Sequence, residues 1–180
     1  VAHIYCEDVF GIVGETFTFP VEINQKISEI IWKKSKDKVA VWDGQSTPTY
    51  FTSLRNRSIL KENGCLTIFN LEKSDAGAYE LDYWDSKMDH YLYFELTVLD
   101  PPAEPKIGCS IRGDNLVLNC TSDFPRPLNY TWKFRKNPLT YHSQEISIPI
   151  ENDDTENATC LIAFSQTEKS SEISLIQCFP

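Results

Sequence analysis

The stretch CTSDFPRPLNYTW, residues 120–132, begins with a cysteine and ends with a tryptophan twelve positions later, and a further cysteine, Cys160, follows twenty-eight positions after Trp132. In this order of residues the indole ring packs against a disulfide that joins the two sheets of a β-sandwich. The surrounding residues alternate between apolar and polar in short runs separated by turn residues, which is typical of short strands. Residues 101–180 are therefore predicted to form a β-sandwich.

The first hundred residues carry different signals for the same kind of fold. DAGAY, residues 75–79, resembles the tyrosine corner of immunoglobulin domains, in which the phenol of Tyr79 binds the backbone a few residues upstream. Arg57 is expected to pair with Asp75, and Trp32 is the predicted core tryptophan. These signals indicate a variable-type immunoglobulin domain.

The two positions for sheet-bridging cysteines in this first domain hold apolar residues. Val21 lies eleven positions before Trp32, and Leu81 lies two positions after Tyr79. The first domain is therefore expected to close its core by packing alone, without the few kcal/mol that a disulfide typically contributes.

The segment DPPAEP, residues 100–105, interrupts the strand pattern. Its three prolines cannot donate hydrogen bonds to a strand ladder, so the segment is predicted to be a linker or domain boundary. The fold class predicted is all-β, with two tandem immunoglobulin-like β-sandwich domains. Residues 1–100 form a variable-type domain without an inter-sheet disulfide, and residues 101–180 form a constant-type domain with disulfides.

Composition argues against several classes of function. With 26 acidic and 17 basic side chains the net charge is −9, which disfavours nucleic acid as a partner. The histidines His3, His90 and His142 are far apart, and no glycine-rich loop, paired-histidine motif or zinc-ligand spacing occurs in the sequence. We therefore expect a protein that binds another protein, with no enzymatic activity, no small-molecule substrate, no cofactor and no metal site.

Six cysteines and four glycosylation sequons favour an extracellular location. The predicted glycosylation sites are Asn56, Asn119, Asn129 and Asn157. No run approaches the roughly 18 apolar residues of a membrane helix. A secreted protein and a mature cell-surface ectodomain, with its membrane anchor outside this sequence, both fit these features.

The cysteines are expected to form three disulfides. The immunoglobulin spacing predicts Cys120–Cys160, and the two cysteines that remain near the ends of the second domain predict Cys109–Cys178. Cys6 and Cys65 would then form a third bridge, from the start of the chain to the start of a later strand.

One lysine-rich segment carries a more specific resemblance. IWKKSKDKVA, residues 31–40, together with 66–71 and the C-terminal segment 172–178, is similar to a group of lymphocyte adhesion receptors in the immunoglobulin superfamily. That group includes T-cell surface antigen two and the signalling lymphocyte activation molecules, and the segment looks most like the ligands of T-cell surface antigen two. The resemblance covers nearly the whole chain. Cys6 and Cys65 are departures from it, because the family is not expected to have cysteines at these positions of the first domain.

The resemblance implies that a partner docks on the outer face of one sheet of the first domain, formed by its C, C′, F and G strands. Because Trp32 points inward, alternation turns Glu29 and Lys33 outward, whereas Lys34 turns inward or ends the strand. A turn is expected at residues 36–38. Trp42 and Trp84 are open to either burial at a strand end or exposure as binding anchors. The predicted partner-binding residues are Glu29, Lys33, Lys34, Lys36, Asp37, Lys38, Asp43, Phe51, Arg55 and Asp89.

The function implied is that of a cell-surface adhesion ligand that binds T-cell surface antigen two on an opposing lymphocyte and promotes cell–cell contact and costimulation. Two alternatives remain open at this point. One is a homophilic or other heterophilic receptor of the signalling lymphocyte activation molecule family, and the other is a soluble or pathogen-encoded mimic.

Overall fold

The computed structural model describes residues 6–150 and 156–180, which form an all-β, immunoglobulin-like structure. The chain divides into two compact units, the first ending at Asp100 and the second beginning at Pro101. Each unit contains two sheets in its described residues.

The first unit has a six-stranded sheet and a three-stranded sheet. The larger sheet has the order β1-β9-β8-β3-β4-β5, with β1 parallel to β9, and the smaller has the order β2-β7-β6. The strands are β1 (Cys6–Ile12), β2 (Phe17–Thr18), β3 (Glu29–Lys34), β4 (Asp37–Trp42), β5 (Thr49–Tyr50), β6 (Ser58–Leu60), β7 (Leu66–Ile68), β8 (Gly77–Trp84) and β9 (Asp89–Leu99). Short 3-10 turns occur at Thr52–Leu54 and Lys73–Asp75.

The core of the first unit is built around Trp32, whose side chain is fully buried and whose Nε1 donates to the carbonyl of Gly64 at 2.9 Å. Val21 and Leu81 are both buried in the same core. This confirms that apolar packing replaces an inter-sheet disulfide at these two positions.

The predicted tyrosine corner and its ion pair are also confirmed. The hydroxyl of Tyr79 donates to the carbonyl of Asp75 at 2.5 Å. Arg57 binds the Asp75 carboxylate with both terminal nitrogens, at 3.1 Å and 2.8 Å. These contacts tie the turn before β8 to the residue that precedes β6.

The second unit has a three-stranded sheet of order β10-β11-β14 and a four-stranded sheet of order β13-β12-β15-β16. The strands are β10 (Lys106–Arg112), β11 (Asn115–Thr121), β12 (Asn129–Phe134), β13 (Thr140–Tyr141), β14 (Glu145–Pro149), β15 (Asn157–Phe164) and β16 (Thr167–Ser174), and a 3-10 turn follows at Leu175–Cys178. Trp132 is fully buried and lies opposite Cys160 in the ladder. The two disulfides predicted for this half, Cys120–Cys160 and Cys109–Cys178, are both present.

The third predicted disulfide is wrong, because Cys6 and Cys65 are both free thiols. The expected bridge requires the first strand to lie in the same sheet as the strand that begins near Cys65, but β1 joins the larger sheet beside β9, whereas Cys65 precedes β7 of the smaller sheet. Alternation along β1 turns Glu7 and Val9 toward the core and Cys6 away from it. Glu7, and not Cys6, lines the same surface pocket as Cys65.

Several strand boundaries also differ from the sequence prediction. The alternation of residues 15–23 predicts one strand, but this run contains just the two-residue strand β2, and β1 was not predicted. The last predicted strand, residues 172–178, is instead the end of β16 followed by a 3-10 turn, which carries Cys178 to its partner Cys109 in β10.

Candidate protein-binding face

The strands expected as C, C′, F and G are β3, β4, β8 and β9 of the six-stranded sheet. The side of this sheet that points away from the core is called the outer face. Trp32, Leu81 and Phe94 point into the core, so the residues next to them in sequence point outward. The ladder registers bring these outward residues into adjoining rows. The central members are Glu29, Ile31 and Lys33 of β3, Lys38 and Val41 of β4, Glu80, Asp82 and Trp84 of β8, and Asp89, Tyr91 and Tyr93 of β9.

The centre of the outer face holds a three-residue charge cluster. The Nζ of Lys33 lies 3.0 Å from Oδ2 of Asp82 and 3.4 Å from Oε2 of Glu80. Asp82 is only 3% exposed. Its other oxygen, Oδ1, is buried and has no hydrogen-bond partner among the described residues.

Burial and charge shift the pKa values in this cluster. Burial raises the pKa of Asp82, and the hydrogen bond from Lys33 opposes that shift without reversing it. The hydrogen bond to Asp82 raises the pKa of Lys33, so the lysine stays charged in neutral solution. Lys33 is therefore a cation held by two acids, one of which is costly to ionise.

One end of the outer face is acidic and aromatic. Glu29 lies opposite Trp84, which in turn lies opposite Asp89. The hydroxyl of Tyr91 donates to Oδ2 of Asp89 at 2.7 Å, and this hydrogen bond lowers the pKa of Asp89. Asp89 is therefore an anion in neutral solution.

The other end is the hairpin between β3 and β4, where Ser35 and Lys36 form the two-residue turn, both with positive φ. The predicted turn at residues 36–38 is thus wrong by about one residue, since Asp37 and Lys38 belong to β4. The hairpin is short because a two-residue turn with positive φ matches the twist of the paired strands. Lys36 and Lys38 make this end of the face basic.

Lys34 lies off the outer face, in agreement with the alternation along β3, which turns it inward or ends the strand there. Its Nζ donates to the carbonyl of Ser74 at 2.5 Å and lies 5.8 Å from the centroid of the Tyr79 ring. Asp37 is the ladder partner of Lys34, at the same end of the sheet.

Three predicted contact residues follow β4 and β5 at the edge of the sheet. Oδ1 of Asp43 accepts hydrogen bonds from the backbone of Gln45 and Ser46, which lowers the pKa of Asp43. Phe51 is half-buried, and its backbone N–H donates to the carbonyl of Val39. Arg55 is exposed after the Thr52–Leu54 turn. The structure places these three beside the outer face and not within its rows.

The two unassigned tryptophans have different positions. Trp42 packs against the core, and its Nε1 donates to the carbonyl of Ser46 at 2.8 Å. Trp84 lies half-buried on the outer face. Sequence reasoning missed Glu80, Tyr91 and Tyr93, although alternation counted forward from Tyr79 would have turned Glu80, Asp82 and Trp84 outward.

The four sequons differ in accessibility. Asn56, Asn119 and Asn129 are exposed, whereas Asn157 is half-buried and donates its side-chain amide to Glu172. Their glycosylation stays a prediction. Within residues 6–150 and 156–180 no helix is long and apolar enough to span a membrane, and no group of three potential metal ligands occurs.

Comparison with known proteins confirms the resemblance stated from the sequence. The chain is 28% identical to human lymphocyte function-associated antigen 3 over 184 residues, spanning 98% of this chain and 72% of that protein. It is also 28% identical to human SLAM family member 5 over 187 residues, spanning 94% of this chain and 53% of that protein. No family model matches.

Among solved structures, the crystal structure of the CD2-binding domain of CD58, lymphocyte function-associated antigen 3, shares this fold with a TM-score of 0.54. The two are 24% identical, and the match covers 94% of this chain and 97% of that one.

Proposed function

We propose that this chain is a cell-surface adhesion ligand that binds T-cell surface antigen two, CD2, through the outer face of its first unit. The observation that carries the proposal is the similarity to lymphocyte function-associated antigen 3 along almost the whole chain. A solved domain of that protein is described as CD2-binding.

The two units have separate roles in this proposal. Residues 1–100 form the variable-type domain that binds the partner, and residues 101–180 form a constant-type domain that acts as a disulfide-bonded spacer. Support comes from the position of the outer face in the first unit and of both disulfides in the second. The contact promotes cell–cell adhesion and T-cell costimulation.

The outer face recognises its partner by the order of its charges. It runs from the basic hairpin end, through the cluster at Lys33, to the acidic end at Glu29 and Asp89. A partner with the complementary order of charges is steered into register, and one with like charges is repelled. The residues proposed to contact the partner are Glu29, Lys33, Lys36, Lys38, Trp84, Asp89 and Tyr91, with Asp37, Asp43, Phe51 and Arg55 at the rim.

Direct binding tests this proposal. The glycosylated chain is passed over immobilised CD2 ectodomain and over an unrelated immunoglobulin-type ectodomain. We expect saturable binding to CD2 alone, which Asp89→Lys at the acidic end abolishes. If the folded chain does not bind CD2, the proposed partner is wrong. If it binds and Asp89→Lys leaves the binding unchanged, the proposed binding face is wrong.

A second candidate is homophilic pairing. It is favoured by the opposite charges at the two ends of the outer face, because two copies related by a two-fold axis would place the basic end of one against the acidic end of the other. Analytical ultracentrifugation of the chain alone separates the two candidates. A monomer–dimer equilibrium that Asp89→Lys removes would support homophilic pairing over CD2 binding.

A further inference from the structure

The lysine at the centre of the outer face is not a free cation. The sequence pattern suggests a lysine strand that offers its charges to a partner, but the Nζ of Lys33 is already bound by Asp82 at 3.0 Å and Glu80 at 3.4 Å. Two carboxylates and one ammonium leave a net single negative charge when all three are ionised. The centre of the face is therefore acidic, although a lysine occupies it.

Asp82 is too deeply buried to serve as an ordinary contact residue. Its ladder neighbours are Ile31 on β3 and Tyr91 on β9, and its side chain is 5% exposed. A buried carboxylate is retained at a cost unless it has donors. Here Lys33 is the one ion-pair partner in the described structure, and Oδ1 has no donor. Asp82 therefore acts on the surface through Lys33.

We propose that Asp82 is the positioning residue of the outer face: together with Glu80 it fixes the Lys33 ammonium between β3 and β8, and the partner meets this bound form. The inference rests on the proposed function, since it concerns the same face. It specifies the partner group that sits over the cluster as a basic side chain, arginine or lysine, because a carboxylate there would face a net negative centre.

The other groups that face the cluster are consistent with this role. Tyr93 is the ladder partner of Glu80 and Tyr91 that of Asp82. The hydrogen bond to Asp89 raises the pKa of Tyr91, with a smaller contribution from the charge of Asp82, whereas burial and then the charges of Glu80 and Asp82 raise the pKa of Tyr93. Both tyrosines are therefore neutral and add no further anion. Beyond Lys33, Lys38 of β4 is the nearest cation in the ladder.

His90 does not take part in the cluster. It alternates with Tyr91 and points to the other side of β9, where its ring stacks on Tyr83 at 4.7 Å and its Nε2 lies 2.8 Å from Asp85. A pH effect that Asp82→Asn removes is therefore assigned to the cluster and not to this histidine.

The proposal predicts that acid moves binding and stability in opposite directions. Because the pKa of Asp82 is raised above 3.8 in the folded chain, the folded state takes up a proton more readily than the unfolded state. Stability contributed by this site therefore grows as pH falls through the raised pKa toward 3.8. The same proton removes the negative charge that holds Lys33, so affinity for a basic partner group should fall.

The test compares five forms of the whole chain for CD2 binding over a series of pH values from about 7 to about 4: wild type, Asp82→Asn, Lys33→Met, the double variant and Glu145→Gln. Glu145 is an exposed acid on β14 of the second unit and serves as the control. We expect Asp82→Asn to lose about tenfold in affinity, because the basic partner group then faces a neutral centre. Lys33→Met should lose little, since both carboxylates remain, and the double variant should bind more tightly than Asp82→Asn because it restores the net single negative charge. Acid should weaken wild type and Glu145→Gln more than Asp82→Asn.

Three outcomes overturn the inference while leaving the proposed function intact: Asp82→Asn binds as wild type does, the double variant binds no more tightly than Asp82→Asn, or the acid response is the same with and without Asp82. Thermal unfolding of each form separates a loss of fold from a loss of binding. If Lys33→Met alone fails to fold, the double variant, which removes both charges, takes its place.

A measurement without any partner decides the positioning role even if CD2 does not bind. In wild type the Lys33 ammonium should give a resolved ¹H–¹⁵N NMR signal, because its protons are held by two carboxylates. In Asp82→Asn that signal should broaden or vanish while the backbone spectrum stays folded. An ammonium signal that is absent in wild type, or unchanged in Asp82→Asn, rejects the inference independently of CD2.

Discussion

Asp75 is a carboxylate that is 1% exposed, and its position in the first unit depends on the donors around it. Arg57 binds both of its oxygens, and the backbone N–H of Glu72 donates to Oδ2 at 2.7 Å. A bidentate guanidinium is well suited to this site, because its two parallel donors match the carboxylate. Removing the arginine would leave a buried charge with a single backbone donor.

Replacing Arg57 with methionine should therefore lower the free energy of unfolding by about 3 kcal/mol, the usual cost of breaking a buried pair from one side. Methionine keeps the alkyl packing, and the sequon at Asn56 is preserved. The measurement is urea denaturation followed by tryptophan fluorescence, with the transition of the first unit assigned through Trp32.

The matched control is Lys73→Met. Lys73 pairs with Asp100 at 3.3 Å, but both side chains are largely exposed, so the expected loss is within about 1 kcal/mol. Equal losses for the two variants would mean that burial of Asp75 does not govern the cost.

The residue contacts that could be predicted from sequence are those fixed by a local motif. The spacing around Tyr79 predicted both its hydroxyl bond and the Arg57 pair, since these recur at fixed offsets in variable-type domains. The burial of Asp82 could not be found in this way, because it arises from Ile31 and Tyr91 on two other strands. The predicted pairing of Cys6 with Cys65 was wrong because β1 pairs with β9 in the larger sheet and not with the strands of the smaller sheet, which turns Cys6 away from Cys65.

The β3–β4 hairpin shows a local conflict between sequence and conformation. Ser35 and Lys36 have φ values of 48° and 76°, a region that glycine and asparagine occupy at lower cost than other residues. The register shifts between Trp32 and Lys33, which lets Val39 and Ala40 both be buried. The turn is therefore held by the packing of its strands and not by its own residues.

Lys36→Gly should raise the free energy of unfolding by about 0.5 kcal/mol, because relief of the positive φ exceeds the greater backbone freedom of glycine in the unfolded chain. The control is Lys38→Gly, which removes the same charge from an extended residue of β4. This variant should lower the free energy of unfolding by about 0.5–1 kcal/mol. Thermal melts of both variants give the comparison. A loss of stability in Lys36→Gly would contradict the assignment of strain to this turn.

At the scale of elements, strands with several alternations were predictable and short or irregular ones were not. The alternation of residues 29–35, 38–43, 77–84 and 90–99 predicts four strands, and β3, β4, β8 and β9 agree with these ranges to within a residue or two. β5 and β13 contain two residues each, too few to show an alternation. The parallel pairing of β1 with β9 depends on the far end of the domain, which no local pattern reports.

The two units of the molecule are stabilised by different means. In the described residues of the first unit the core is apolar and aromatic with free thiols at Cys6 and Cys65, whereas the second has two disulfides. Removing a native disulfide typically costs 2–5 kcal/mol in a small domain. The whole chain thus offers an internal comparison of the two strategies.

Reduction should consequently lower the thermal stability of the second unit and leave the first unchanged. Calorimetry of the intact chain with and without reductant should show one transition moving to lower temperature while the other stays in place. A shift of both transitions would contradict the free state of Cys6 and Cys65, because their bridge is the one feature of the first unit that a reductant could break.

For the whole molecule, the proposed binding should be weak and salt-sensitive. An exposed ion pair contributes about 0–1 kcal/mol, and the outer face has few large apolar anchors besides Trp84 and Tyr91. The expected affinity is therefore in the micromolar range, about −8 kcal/mol. Adhesion tolerates such weak bonds because many form in parallel between two cells.

The chain as a whole has a net charge of −9. The effect of this net charge on the association rate can be separated from the effect of the individual charges on the outer face. Lys38→Glu, at the basic end of the outer face, should reduce the association rate more than Lys133→Glu, which changes another exposed lysine, on β12. Both change the net charge by the same amount, so any difference reports the local pattern. The difference should shrink as salt rises to physiological levels, where the screening length is about 8 Å. Equal effects of the two reversals at low salt would mean that net charge alone steers the encounter, and that binding depends on the apolar residues Ile31, Val41 and Trp84.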